Sequence, residues 1–99
     1  MTPKPIHPGE HLAEELRELG MSAAAFSRHL QVPTSRITQI LNGRRAISGD
    51  TALRLAHFFG TSSQFWMNLQ GLYDVRRTAP TVEKTIRTLP TMKTLLRTA

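Results

Sequence analysis

Ninety-nine residues, 39% hydrophobic and 6% aromatic, suit one small domain whose core rests on Leu, Ile, Ala and a few rings. The absence of cysteine excludes disulfides, thiol catalysis and cysteine-bound metal. A net charge of +6 points to a polyanionic partner, with nucleic acid the first candidate.

The opening MTPKPIHPGE carries no apolar core of signal-peptide length, and no run approaches the ~18 apolar residues of a membrane span. A cytoplasmic protein without membrane contact is therefore expected. No strand alternation appears, and the apolar spacing is helical throughout. Helix one is predicted from about Pro8 to Leu19. Pro8 suits the first helical position, Glu10 and Glu14 suit the positive dipole end, and Leu12, Leu16 and Leu19 share a face. Gly20 stops it.

Ser22 caps helix two, in which Phe26 and Leu30 face one way; the helix ends near Gln31. Helix three starts beside Pro33, which lacks a backbone donor. Its buried stripe is Ile37, Ile40 and Leu41, and Asn42-Gly43 ends it. Ser48 caps helix four, where Ala52, Leu55, Ala56 and Phe59 line up before Gly60. Thr61 and Gln64 have the spacing of a capping box, and Phe65, Leu69 and Leu72 form the stripe of helix five beside Trp66 and Tyr73. From Arg76 the pattern weakens, and Pro80 and Pro90 interrupt it. The expected organisation is a five-helix, all-α domain over residues 1–77 and a basic tail, helical or disordered, over residues 78–99.

Charge sorts along the same map. Residues 1–21 net −2, residues 22–45 net +4 with no acid, residues 46–75 net −1, and residues 76–99 net +5. The acid-free block spans helices two and three, joined by the short turn Gln31-Val32-Pro33. That is the helix-turn-helix layout, in which the second helix enters the DNA major groove N-terminus first. With Ile37, Ile40 and Leu41 facing inward, Thr34, Ser35, Thr38 and Gln39 are left for base edges or phosphates. Short hydroxyls permit close approach, and Gln39 offers the paired bonds that adenine accepts. Arg36 reaches a guanine edge or a phosphate. Arg44 and Arg45, past the helix, and Ser22, at the N-terminus of helix two, are placed for the backbone.

SAAAFSRHLQVPTSRITQILNG resembles the helix-turn-helix of the XRE/Cro repressors, whose fold is λ-repressor-like. HPGEHLAEEL, ILNGRRAISGDTALRLAHFFGTSSQFWMNLQ and YDVR resemble the HigA-type antitoxins of bacterial toxin–antitoxin modules, over roughly residues 7 to 77. Gln31 stands at a turn position often held by glycine in such motifs, so a left-handed or neighbouring backbone is expected there. The resemblance implies a homodimer that binds a palindromic operator on double-stranded DNA, represses its own operon and neutralises a partner mRNA-endonuclease toxin. Two alternatives share the residues: a stand-alone regulator without a toxin, and a toxin-binding inhibitor without operator affinity.

Leu69, Leu72 and Tyr73 of helix five are the candidates for dimerisation. Trp66 beside Phe65 is assigned to the core or the dimer contact. His7 and His11 have metal-ligand spacing, but no third ligand lies near, and His7 is placed to cap helix one. Glu14, Glu15 and Glu18 read as a solvated face. No Ser-His-Asp set or phosphate loop can be assembled, so neither an enzyme nor a cofactor or metal is expected.

Overall fold

The computed structural model describes residues 4–98. Its elements in chain order are α1 (Pro8–Leu19), α2 (Ala23–Leu30), α3 (Thr34–Leu41), α4 (Gly49–Phe59), α5 (Ser63–Thr88) and α6 (Met92–Thr98). No strand occurs among the described residues, and no helix there is long and apolar enough to cross a membrane. Five helices build the domain, and α6 follows it.

Local chemistry sets the boundaries. The Nδ1 of His7 accepts from the Gly9 N–H at 2.8 Å, capping α1 with Pro8 in its first turn. Ser22 and Ser48 cap α2 and α4 through bonds from Ala25 N and Thr51 N. At α5 the cap is one residue later than the capping-box spacing predicts. Ser62 accepts from Phe65 N at 3.1 Å, while Thr61 accepts from the Trp66 indole at 3.1 Å and Gln64 pairs with Asn68. A buried indole N–H needs a partner, and that demand takes Thr61 away from the helix end.

The core joins Leu12 and Leu16 of α1, Phe26 and Leu30 of α2, Ile37 and Ile40 of α3, Ala52 and Leu55 of α4, and Trp66 of α5, with Ile47 from the α3–α4 loop. Leu41 is only half-buried. Leu19 departs from its predicted face and is 51% exposed, because α1 ends at Gly20 and Met21 packs on the core instead. On α5 the buried pair is Trp66 and Gln70. Phe65 and Leu69 are half-buried beside them, and Leu72 is exposed. Gln70 is buried for a polar reason: its Oε1 accepts from Ile47 N at 2.8 Å and its Nε2 donates to Asp74 at 2.9 Å.

Pro80 does not break α5; the helix runs through it to Thr88. The proline forfeits its i→i−4 bond, on a stretch whose side chains lie mostly in solvent. Leu89, with extended backbone, ends the helix before Pro90, so of the two prolines expected to interrupt the pattern only Pro90 does so. A 26-residue helix is about 39 Å long, and the whole chain extends 60 Å along its long axis against 23 and 21 Å across it. The radius of gyration is 18.0 Å, against about 13 Å for a compact chain of this length. The second half of α5 therefore projects as an arm.

Gln31 is the one non-glycine residue with positive φ among those described, at 54°. Its N–H bonds Arg28 O and that of Val32 bonds Ser27 O, closing α2 before the turn. A left-handed backbone strains a side-chain-bearing residue by roughly 1–2 kcal/mol, part of which glycine returns as unfolded-chain entropy. Gln31→Gly is expected to stabilise the domain by about 1 kcal/mol, raising Tm by about 4–8 °C in thermal unfolding. An unchanged or lowered Tm would show that the turn carries no strain.

Candidate nucleic-acid interface

The pairing of α2 and α3 is fixed by packing and by one polar clasp. Ile37 and Ile40 are fully buried under α3. Ser27, buried in α2, donates to Ala24 O at 2.7 Å, and its oxygen lies 2.9 Å from the Thr34 hydroxyl. With its own proton committed, Ser27 receives that of Thr34. The two helices are thus tied at the first turn of α3, and the Thr34 hydroxyl is partly spent on the tie.

The outward face of α3 carries Ser35 and Gln39, both exposed, with Thr34 at its start. Thr38 is half-buried, and its hydroxyl donates back to Thr34 O and Ser35 O at 3.3 and 3.2 Å; its methyl is what remains to offer. Gln39 accepts from Arg45 Nη1 at 3.1 Å. Arg44 and Arg45 are exposed in the loop after α3, where Gly43, at φ 72°, turns the chain and Arg44 N bonds Gln39 O at 2.8 Å. Ser22 is exposed, with its oxygen engaged in the α2 cap. Ser22, Thr34, Ser35, Thr38, Gln39, Arg44 and Arg45 therefore lie on α2, α3 and the following loop, as the helix-turn-helix spacing predicts.

Arg36 differs. Its Nη1 lies 2.8 Å from Asp50 Oδ1, and the same oxygen accepts from Arg54 Nε at 2.8 Å. Arg54 in turn donates to Leu30 O at 2.7 Å. One carboxylate from α4 thus binds cations on α3 and α4, and the second cation is anchored on the end of α2. The hydrogen bond from Arg54, then that from Arg36, holds the Asp50 carboxyl below its ordinary range. The acid-free block of residues 22–45 gains an acid in space that it lacks in sequence. Only the i,i+4 spacing of Asp50 and Arg54 signals part of this in the sequence.

His7 caps α1, as its position predicts, and it does more. Its buried ring meets Tyr73 edge-on at 4.8 Å and engages the backbone of Arg45. Burial pushes its pKa below the ordinary value, against the Arg45 backbone, which favours the proton. His7 thereby props the loop that presents Arg44 and Arg45. His11 instead lies against Phe65 and Trp66. No group of three or more potential metal ligands occurs among the described residues.

Of the dimerisation candidates, Leu69 packs on the core and Tyr73 lies half-buried under His7, with the Arg77 guanidinium 5.7 Å from its ring. Leu72 faces outward. It begins a stripe that crosses Pro80: Leu72, Val75, Ala79, Val82, Ile86 and Leu89, alternately three and four residues apart. All but Ala79 are exposed large apolar side chains. This 3.5-residue repeat has the spacing of a coiled-coil seam.

Fold and site together define a helix-turn-helix domain, and the family model described as Helix-turn-helix matches residues 12–66. The chain is 53% identical to an addiction module antidote protein of a HigA family from Coxiella burnetii, whose structure aligns with a TM-score of 0.87 over 90% of this chain and 98% of that one. The Pseudomonas aeruginosa antitoxin HigA, solved with the higBA promoter, is 41% identical, with a TM-score of 0.85 over 90% and 99% of the two chains. Virulence-associated protein I of Dichelobacter nodosus is 49% identical over 72 residues, 72% of this chain and 67% of that protein. The chain belongs to the HigA family of helix-turn-helix proteins.

Proposed function

We propose that this protein is a repressor-antitoxin that acts by binding, not catalysis, in the cytoplasm. It takes duplex DNA in the major groove through α3, represses its own operon and neutralises a partner toxin. The observation that carries the DNA assignment is the outward face of α3, where Ser35 and Gln39 stand exposed on a helix clasped to α2 and followed by Arg44 and Arg45. A promoter is what the Pseudomonas relative holds, and a duplex of that kind suits this surface. One α3 reads few base pairs, so a two-fold homodimer is the working unit, with half-sites one helical turn or a multiple apart. The seam along α5 supplies its contact. Residues 1–77 form the DNA-binding unit and residues 78–99 the arm, a division supported by the near-continuous exposure of the described side chains from Arg77 onward. The antitoxin role rests on kinship with the Coxiella and Pseudomonas proteins.

Ser35→Ala combined with Gln39→Ala tests base readout without touching the Thr34–Ser27 clasp. Affinity for the duplex recovered by in vitro selection with the wild-type chain is expected to fall about tenfold or more. Affinity for random duplex, held by phosphate contacts, should stay within about twofold. Equal losses on both in a gel shift would remove α3 as the sequence reader.

A further inference from the structure

The cluster at the α2–α3–α4 corner is unexplained by folding alone. Arg36, in the first turn of α3, keeps 26% side-chain exposure, while Asp50 keeps 56% and Arg54 39%. Exposed pairs of this kind contribute little stability. Asp50 sits in the first turn of α4, where an acid suits the dipole, but that role needs no arginine from α3. The arrangement has a mechanical sense. Arg54 is anchored by Leu30 O and fixes the carboxylate, and the carboxylate fixes one nitrogen of Arg36. A guanidinium has five donors in a rigid fork. With Nη1 held by the carboxylate, the fork is oriented before DNA arrives, and the donors that remain suit the paired acceptors of a guanine edge.

We infer that Asp50 is a specificity-determining residue, which buttresses Arg36 for one guanine in the groove and withholds it from phosphates elsewhere. This inference rests on the proposal that α3 reads DNA. On random duplex, the carboxylate neutralises Arg36 and repels the phosphate that would otherwise take it. On the preferred duplex, the orientation it imposes offsets that repulsion. Asp50 acts through Arg36 and touches no base itself.

The test is competition binding across a salt series, using random duplex, the in vitro selected duplex and its single-base-pair variants. Asp50→Asn is expected to bind random duplex about fivefold more tightly at 0.15 M salt, with the log–log salt slope steeper by about 0.9, as one added phosphate contact requires. Affinity for the selected duplex should stay within about twofold, and preference at one G·C pair should fall. Asp50→Glu, which keeps a carboxylate within reach, should restore that preference. In an Arg36→Gln background the gain on random duplex should vanish. An equal gain in that background would mean that loss of negative charge alone is at work, and would overturn the buttress. Unchanged random-duplex binding and unchanged base preference in Asp50→Asn would overturn it equally. If the wild-type chain prefers no selected duplex over random DNA, sequence reading by α3 itself fails and this inference falls with it.

Discussion

Gly9→Ala is expected to cost about 3 kcal/mol or more and to lower Tm by well over 10 °C. Gly9 is buried where α1 crosses α3. A Cβ there would overlap the carbonyl oxygen of Ile40, lie 2.8 Å from the carbon of that carbonyl and stand 3.0 Å from His7 Nδ1. The obstructing atoms are mainly backbone, so no rotamer change relieves them. Ile40 is fully buried, and moving its carbonyl drags the core face of α3 with it. The shift would also disturb the Gly9–His7 bond that caps α1 and the ring that props the Arg44–Arg45 loop. Overpacking by one methyl is thus multiplied by what it touches, in a domain whose total stability is of the order of 5–15 kcal/mol. Gly71→Ala is the matched control. It is also helical, but a Cβ there meets nothing within 4 Å, so a small gain of about 0.5–1 kcal/mol from helix propensity is expected. Thermal unfolding of the two variants decides the matter: a Gly9→Ala Tm within a few degrees of wild type would refute the close crossing of α1 and α3.

That contact shows where the sequence stops being legible. Features set by neighbours along the chain could be read directly. Ser22 and Ser48 cap helices, Gly20 and Gly60 end them, and the missing turn glycine announced the left-handed Gln31. The inward face of α3 followed from periodicity at Ile37 and Ile40. Features set by partners across the fold could not. Gln70 is buried because the Ile47 N–H needs an acceptor, a demand that no apolar period encodes, and it rotates α5 away from the predicted Leu72 face. Thr61 left its capping role for the Trp66 indole. The places of Thr34 and Arg36 on α3 point both outward, yet Ser27 holds one and Asp50 the other. Charge counted by segment missed Asp50 because it lies in the next segment and reaches back. Pro80 looked like a terminator, but a helix with solvent around most of it can go without one hydrogen bond.

The exposed seam leads to the other large effect. Val82→Glu with Ile86→Glu is expected to convert a dimer to a monomer in sedimentation analysis. Affinity for an intact two-half-site duplex should fall about 100-fold or more, because linked half-site binding is lost. Val75, Val82 and Ile86 stand on a helix that has left the domain, with Leu89 just past its end, and all four are exposed. Monomers rarely leave so continuous an apolar strip in water. A groove lined by Val75, Thr78, Ala79, Val82 and Ile86, with Asp74 at its edge, runs along the strip, and small Ala79 leaves room there for a knob from a second helix. The substitutions spare the core, so helical content should persist and the domain's Tm should move little beyond the loss of dimer coupling. Leu69→Ala gives the opposite signature. Leu69 packs on the core, so its truncation should lower Tm without first dissociating the dimer. A double variant that stays dimeric, or a monomer that holds the full duplex with undiminished affinity, would place the two-fold axis elsewhere than on α5. The glutamates themselves put two negative charges on the arm, near Lys84 and Arg87, so Val82→Ser with Ile86→Ser should dissociate the dimer in the same direction if apolar burial, and not charge, holds the seam.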